Sequence, residues 1–189
     1  MEKNIPVQSG LGSASSNAAA MFRILEKMNI YKINNIKETR ILGADIPLFL
    51  NQKDCLIRGT GEKITNKMYP KYYFLLVKPS SNCSTKEMYN LIKANDLDYN
   101  IENDYEEINE FDIGNDFEKI ITRINEEVAK ILNFLKDLEC VIFSRMTGTG
   151  SCCYAAFNKK KDAENAQKIF VKKYPLLWTL ITENNIINE

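Results

Sequence analysis

The sequence predicts an α+β fold, and three observations predict it. Short segments that read as buried strands alternate with longer stretches of helical apolar spacing, and the pattern alters near residue 71. With 44% hydrophobic and 26% charged residues, the chain has the balance of a globular protein that builds a core. Its apolar runs stay far short of the roughly 20 residues that a bilayer-spanning helix needs, so those segments are core elements.

The elements follow in order. The run IPVQSGLGSASSNAAAMFRILEKMN changes from Gly/Ser-rich loop to alanine-rich helix at Ser15. Met21, Phe22, Leu25 and Met28 fall on one helical stripe, and Ser15, Ser16 or Asn17 can cap its start. A short helix from about Asn35 to Leu42 stops at Gly43. Asp45 follows, and Ile46-Pro47 predicts extended backbone. Tyr72 to Val77 reads as a strand, Thr85 to Ala94 as a helix, and the acidic, Asn-rich Asn95 to Asn115 as a loop. Phe117, Ile120, Ile121, Ile124, Val128, Ile131, Leu132 and Leu135 mark one long amphipathic helix. Cys140 to Met146 and Cys152 to Phe157 are strand-like, separated by a Thr-Gly-Thr-Gly turn. Asp162 to Tyr174 is helical, and Leu176 to Thr182 is a last strand. From residue 71 on this is the order of a ferredoxin-like split βαβ unit with one extra helix. A boundary near Lys63 to Tyr69 predicts two domains, 1–63 and 70–189, the first too small to stand alone.

Composition narrows the chemistry. Lys plus Arg balance Asp plus Glu at 25 each, so no global field draws in nucleic acid or an anionic membrane. Met1-Glu2-Lys3-Asn4 leads into no signal-peptide core, and the expected compartment is the cytoplasm. Cys55, Cys83, Cys140, Cys152 and Cys153 lack the spacing of a zinc or redox motif and read as free buried thiols. Histidine is absent, which removes a Ser-His-Asp triad, a Cys-His dyad and histidine-ligated zinc together. Chemistry must run on carboxylates, hydroxyls, lysines, backbone amides or a hard metal ion.

Three segments could carry it. Gly10-Leu11-Gly12-Ser13-Ala14-Ser15-Ser16 lets backbone approach an anion at the positive end of the following helix. On glycines and serines alone, a phosphate cradle and a flexible turn are equally good readings. The missing Lys-Ser/Thr ending excludes a Walker loop, and the spacing is not the dinucleotide fingerprint. In Leu42-Gly43-Ala44-Asp45-Ile46-Pro47, an isolated aspartate at a turn reads first as a cap or bend. Met146-Thr147-Gly148-Thr149-Gly150-Ser151 between two strands reads first as a hairpin.

Taken together, in this order and on these element types, the segments resemble the GHMP superfamily of small-molecule kinases. Pro6 to Ala19 is similar to the family's P-x-x-x-G-L-G-x-x-S-S-x-A-A phosphate loop, with Gln8-Ser9 and Ser13-Ala14 as departures. Gly43-Ala44-Asp45-Ile46-Pro47 resembles its G-A-D-x-P, and Gly148 to Ser151 its third, glycine-rich motif. Gly59-Thr60-Gly61-Glu62 resembles a G-x-G-E turn, and Val77-Lys78-Pro79 with Ser84-Thr85 to Tyr89 resembles a segment of the diphosphocytidyl-methylerythritol branch. The resemblance implies the GHMP fold, an amino-terminal ATP-binding domain followed by the ferredoxin-like one. It implies that Gly10, Leu11, Gly12, Ser13, Ser15 and Ser16 hold ATP phosphates, with Ser16 as a Mg²⁺ contact. It makes Asp45 the catalytic acid/base for phosphorylating the 2-hydroxyl of the diphosphocytidyl-methylerythritol substrate in isoprenoid precursor biosynthesis. Thr85, Tyr89, Gly148, Thr149, Gly150 and Ser151 become substrate contacts, Tyr89 being equally readable as a core aromatic. Cys152 and Cys153 are assigned to packing.

The family pattern places several strands, and a lysine paired with the aspartate, ahead of this phosphate loop. Only Met1 to Asn4 precede Ile5, and Lys3 is a poor substitute. The expectation is therefore an incomplete nucleotide domain, from a split or decaying gene or a misplaced start, with a separately encoded amino-terminal half as a partner. Two alternatives stay open: a catalytically silent half-protein or binding module, and another GHMP kinase of the mevalonate or homoserine type.

Overall fold

The computed structural model describes residues 4–94 and 114–184. The loop expected over Asn95 to Asn115 lies outside them except for its last two residues. The chain divides into two compact units, one of Gly12–Pro70 and the other of Lys71–Asn184 together with the segment that ends at Leu11.

In the unit of Gly12–Pro70, α1 spans Ser13–Lys27. Its cap is Gly12 and not Ser15, Ser16 or Asn17, and no side chain bonds to the first-turn amides. The stripe expected to face inward does so only in part: Phe22 and Leu25 are half-buried, but Met21 and Met28 are exposed. The helix turns its small face inward, with Ala19 fully buried, and Arg23 donates to the Phe49 carbonyl at 2.8 Å. The second helix is a 3-10 turn, Ile36–Ile41, capped by Asn35, whose side chain accepts from the Lys37 amide. Ile46-Pro47, expected to be extended, instead opens α2, Ile46–Asn51. Proline fits there because the first amides of a helix have no intrahelical acceptor to lose. Two strands, β1 (Cys55–Arg58) and β2 (Lys63–Asn66), pair antiparallel from Cys55 opposite Asn66 to Arg58 opposite Lys63.

The unit from Lys71 has the predicted ferredoxin-like sheet. Strands β3 (Tyr73–Lys78), β4 (Phe143–Met146), β5 (Cys153–Phe157) and β6 (Trp178–Glu183) lie in the order β4-β5-β3-β6, all antiparallel. Helices α3 (Thr85–Ala94), α4 (Asp116–Ile124), α5 (Glu126–Lys136) and α6 (Lys160–Lys173) complete it. The single long helix expected over residues 117–135 is therefore two. Asn125 sits between them in extended backbone; its amide donates to the Ile121 carbonyl and its side chain accepts from the Val128 amide. One residue thus ends α4 and caps α5, while the apolar spacing runs on across the break.

Alternation along the strands explains the core. Leu75 and Val77 of β3 share a face with Cys153, Ala155 and Phe157 of β5. Against that face pack Val128, Ile131, Leu132 and Leu135 of α5 with Ala163, Ala166 and Phe170 of α6. Each large side chain so buried contributes roughly 1.5–3 kcal/mol. Within the same unit, Tyr72 meets Phe143 edge to face at 5.8 Å between centroids, and Phe74 meets Tyr154 at the same distance.

Candidate active site

The Lys71–Asn184 unit brings two of the predicted motifs together. The turn after β4 is closed on itself by the Thr147 amide, which donates to the Cys152 carbonyl at 2.8 Å. Onto it lies the start of the first glycine run. Thr147 donates its hydroxyl to the Ser9 carbonyl at 2.6 Å, and the Ser151 and Cys152 amides donate to the carbonyls of Gln8 and Ser9. Gly10 and Gly148 meet backbone to backbone. A Cβ on Gly10 would run into the Thr147 carbonyl oxygen and come within 2.9 Å of the Gly150 nitrogen. A Cβ on Gly148 would come within 2.9 Å of the Gly10 carbonyl oxygen. Both have positive φ, +69° and +40°, so glycine is needed for space and for backbone alike.

Thr85, the first residue of α3, places its hydroxyl oxygen 3.0 Å from that of Thr149. Tyr89, one turn on, is half exposed and stacks edge to face on Phe117 at 5.1 Å. Tyr89, Phe117, Asn115, Asp116 and Gly148 line a cavity of about 400 Å³. Ser151 is fully buried, and its hydroxyl donates to the Ser81 carbonyl at 2.5 Å.

The Gly12–Pro70 unit holds the remaining candidates. The α1 N-terminus is left without a side-chain cap and without an acidic residue in its first turn, the condition under which helix amides serve an anion. Ser16 donates to the Ser13 carbonyl at 3.0 Å, which leaves its oxygen lone pairs unused by that bond. Asp45 is exposed, and although it precedes α2 its carboxylate makes no capping bond to it. One carboxylate oxygen lies 3.9 Å from where a Cβ on Gly12 would stand, and the Ser15 hydroxyl lies 3.6 Å from the corresponding point on Gly43. The Gly59–Glu62 turn packs behind, Gly61 against the Ala44 carbonyl. It is held by the Glu62 carboxylate, which accepts from the Thr60 amide at 2.7 Å and from the Thr60 hydroxyl. Those bonds, its own amide's first, hold the Glu62 carboxyl below the usual range.

Sequence reasoning missed the residues that fix the glycine turn. Asn115 caps α4 through its side-chain oxygen and, through its nitrogen, donates to the Met146 and Gly148 carbonyls at 2.9 and 2.8 Å. Glu118 accepts from the Met146 amide at 2.7 Å. The available signal is Asn115 followed three residues on by Glu118, a capping-box spacing, although here the glutamate reaches away to the sheet. The thiols divide: Cys83, Cys152 and Cys153 are buried, Cys55 is intermediate, and Cys140, expected to be buried, is exposed at the end of a helix–strand connection. Burial pushes Cys152 up to about 12 and raises Cys153 well above the thiol norm, so both are packed thiols and not nucleophiles. Among the described residues no cluster of His, Cys, Asp and Glu could hold a metal ion by itself, and no helix is long and apolar enough to cross a membrane.

The model of the GHMP kinases N-terminal domain matches residues 1–48, and that of the GHMP kinases C terminal matches residues 82–176 of the 189. The 4-diphosphocytidyl-2-C-methyl-D-erythritol kinase of Francisella tularensis subsp. novicida is 36% identical over 179 residues, 89% of this chain and 61% of its own. The proteins of the same name from Thermosipho melanesiensis and Buchnera aphidicola are 35% and 33% identical, over 86% and 89% of this chain and 62% and 57% of theirs. This chain thus spans about three-fifths of the length of those curated relatives. A crystal structure of 4-(cytidine 5'-diphospho)-2C-methyl-D-erythritol kinase superposes with a TM-score of 0.76 at 23% identity, covering 97% of this chain and 69% of that one. Homoserine kinase from Cytophaga hutchinsonii superposes at 0.59 and 14% identity over 97% and 68%. At such identities the two solved structures establish the fold alone.

Proposed function

The chain belongs to the GHMP kinases, and from that premise we propose that it transfers the γ-phosphoryl group of ATP to the 2-hydroxyl of 4-diphosphocytidyl-2-C-methyl-D-erythritol, a step toward isoprenoid precursors. The observation that carries the reading is Asp45: a carboxylate at a helix start that does not cap it and stands by Gly12 at the uncapped end of α1. The names borne by relatives at 33–36% identity supply the substrate.

In this reading the amides of the Gly10–Ser16 segment receive ATP phosphates, where the first-turn dipole favours negative charge. The P–O bond between the β- and γ-phosphoryl groups breaks as the substrate hydroxyl oxygen bonds to the γ-phosphorus, and Asp45 takes the hydroxyl proton. Thr85, Tyr89, Gly148 and Thr149 are the substrate's contacts, whereas Gly150 and Ser151, expected to join them, are buried beneath and serve to hold the loop. Mg²⁺, when bound, would neutralise charge on the phosphate oxygens, and the Ser16 hydroxyl oxygen, whose lone pairs its bond to Ser13 leaves unused, would be this chain's contact to it. The cytoplasm as compartment belongs to the same proposal.

The test is transfer of labelled γ-phosphate from Mg²⁺-ATP to the diphosphocytidyl substrate, with Asp45→Asn alongside. The expected loss of kcat in the variant is about 10²- to 10⁴-fold, the range for a missing general base. Equal turnover by the two proteins, or transfer to homoserine in place of the diphosphocytidyl alcohol, overturns the reading.

A further inference from the structure

Lys78, the last residue of β3, is the only charged side chain buried among the described residues, at 7% exposure. Among the described residues its ammonium faces no carboxylate at bonding distance, the Glu127 charge acting on it only from further off. It lies 2.8 Å from the Pro79 carbonyl, 2.9 Å from the Ser81 carbonyl and 3.0 Å from the Asn82 side-chain oxygen, one acceptor for each of its three protons. Burial pushes its pKa below the lysine norm. On the other side of the same turn, the Glu127 carboxylate from the start of α5 accepts from the amides of Ser80 and Ser81, at 2.9 and 2.8 Å. The turn Pro79–Asn82 is thus gripped by a cation on its carbonyls and an anion on its amides.

An ammonium drawn out of water onto neutral acceptors gains little net stability, while a methionine in its place would leave the Pro79, Ser81 and Asn82 oxygens without this donor. What the lysine does provide is a fixed Ser81 carbonyl, the acceptor of the buried Ser151 hydroxyl in the glycine turn. Three residues beyond Asn82 stands Thr85, within 3.0 Å of Thr149 in that same turn.

We propose that Lys78 is a positioning residue: it sets the Pro79–Asn82 turn so that the Ser81 carbonyl and the Thr85 hydroxyl lock onto Ser151 and Thr149, fixing the surface that meets the alcohol substrate. The inference rests on the kinase reading for the identity of that substrate, though not for the lock itself.

The experiment pairs steady-state kinetics with hydrogen exchange on Lys78→Met, and on Glu127→Gln as the milder variant should the first fail to fold. The expected result is a rise of about tenfold or more in KM for the diphosphocytidyl substrate, with KM for ATP within about twofold, in line with loss of charge-assisted hydrogen bonds. Amide exchange should quicken at residues 79–85 and 147–152 and stay unchanged in α5 and α6. Glu127→Gln should show the same split at smaller size. Uniformly faster exchange with both KM values shifted alike would make Lys78 merely structural and overturn the proposal, as would no change in either readout. If the unmodified chain transfers no phosphate to this substrate, the kinase reading fails, and the exchange pattern alone decides the role of Lys78.

Discussion

Alanine at position 10 tests the contact on which the glycine turn depends. The added methyl would overlap the Thr147 carbonyl oxygen and crowd the Gly150 nitrogen and the Thr147 hydroxyl at 2.9 Å. The first two are backbone, so neither can swing aside. Holding a Cβ-bearing residue at φ +69° costs roughly 1–2 kcal/mol. Overpacking against fixed atoms adds about 1–3 kcal/mol, so Gly10→Ala should destabilise by about 2–5 kcal/mol. With an m-value of about 2–3 kcal/mol/M, the urea midpoint of the Lys71–Asn184 unit should fall by about 1–2 M. Gly114→Ala is the control in the same unit: among the described residues nothing lies within 4 Å of its Cβ position, and its effect should stay within about 0.5 kcal/mol. Indistinguishable midpoints for Gly10→Ala and Gly114→Ala would refute the claim that the two glycine segments meet backbone to backbone.

Other outcomes follow from the same geometry. Asn115→Ala removes a helix cap and the donor to two carbonyls, and should cost about 2–4 kcal/mol in chemical denaturation; a loss below about 1 kcal/mol would leave it a cap only. In native alkylation read by mass spectrometry, Cys140 should label first and Cys152 and Cys153 last. A thiol pushed up to about 12 is ionised to only about one part in ten thousand at pH 8; rapid labelling of Cys152 would contradict its burial. At Glu127 burial works to raise the pKa, but the Ser80 and Ser81 amides outweigh it and the net direction is down. A carboxyl depressed on folding stabilises above its unfolded pKa near 4.3 and loses that contribution as pH falls through the folded value. The stability gap between the native chain and Glu127→Gln should therefore narrow from pH 6 toward pH 3, and a constant gap would deny the carboxylate its role.

Much of the second unit was legible because its strands and helices carry unbroken apolar patterns: Tyr73–Lys78, Thr85–Ala94 and Lys160–Lys173 fall within two residues of expectation at each end. The break at Asn125 was not, since the helical period continues across it while one side-chain oxygen decides the matter. Pro47 misled for a related reason. Its effect on the residue before it reads as extended chain, yet at the second position of a helix proline sacrifices no hydrogen bond. The apolar stripe on α1 misled differently, because the methionines follow helical spacing yet lie exposed, while the residue fully buried is Ala19. At the site, the glycine segments could be seen as segments, but nothing local shows that Gly10 lies on Gly148. Lys78, Asn115 and Glu118 were invisible in their roles because each acts on backbone groups, whose positions no spacing rule supplies.

The bond from Thr147 to the Ser9 carbonyl joins residues 138 apart, and so puts a clock on the protein's making. At about 5–20 residues per second, roughly 7–28 s separate the emergence of the two partners from a ribosome. Through that interval β3 also waits, for both of its sheet neighbours, β5 and β6, are translated later. A nascent chain halted before Cys152 carries its first glycine run with the clasp unmade. Whatever that run binds, the placing of Gln8 and Ser9 at its start waits on residues 147–152, translated later.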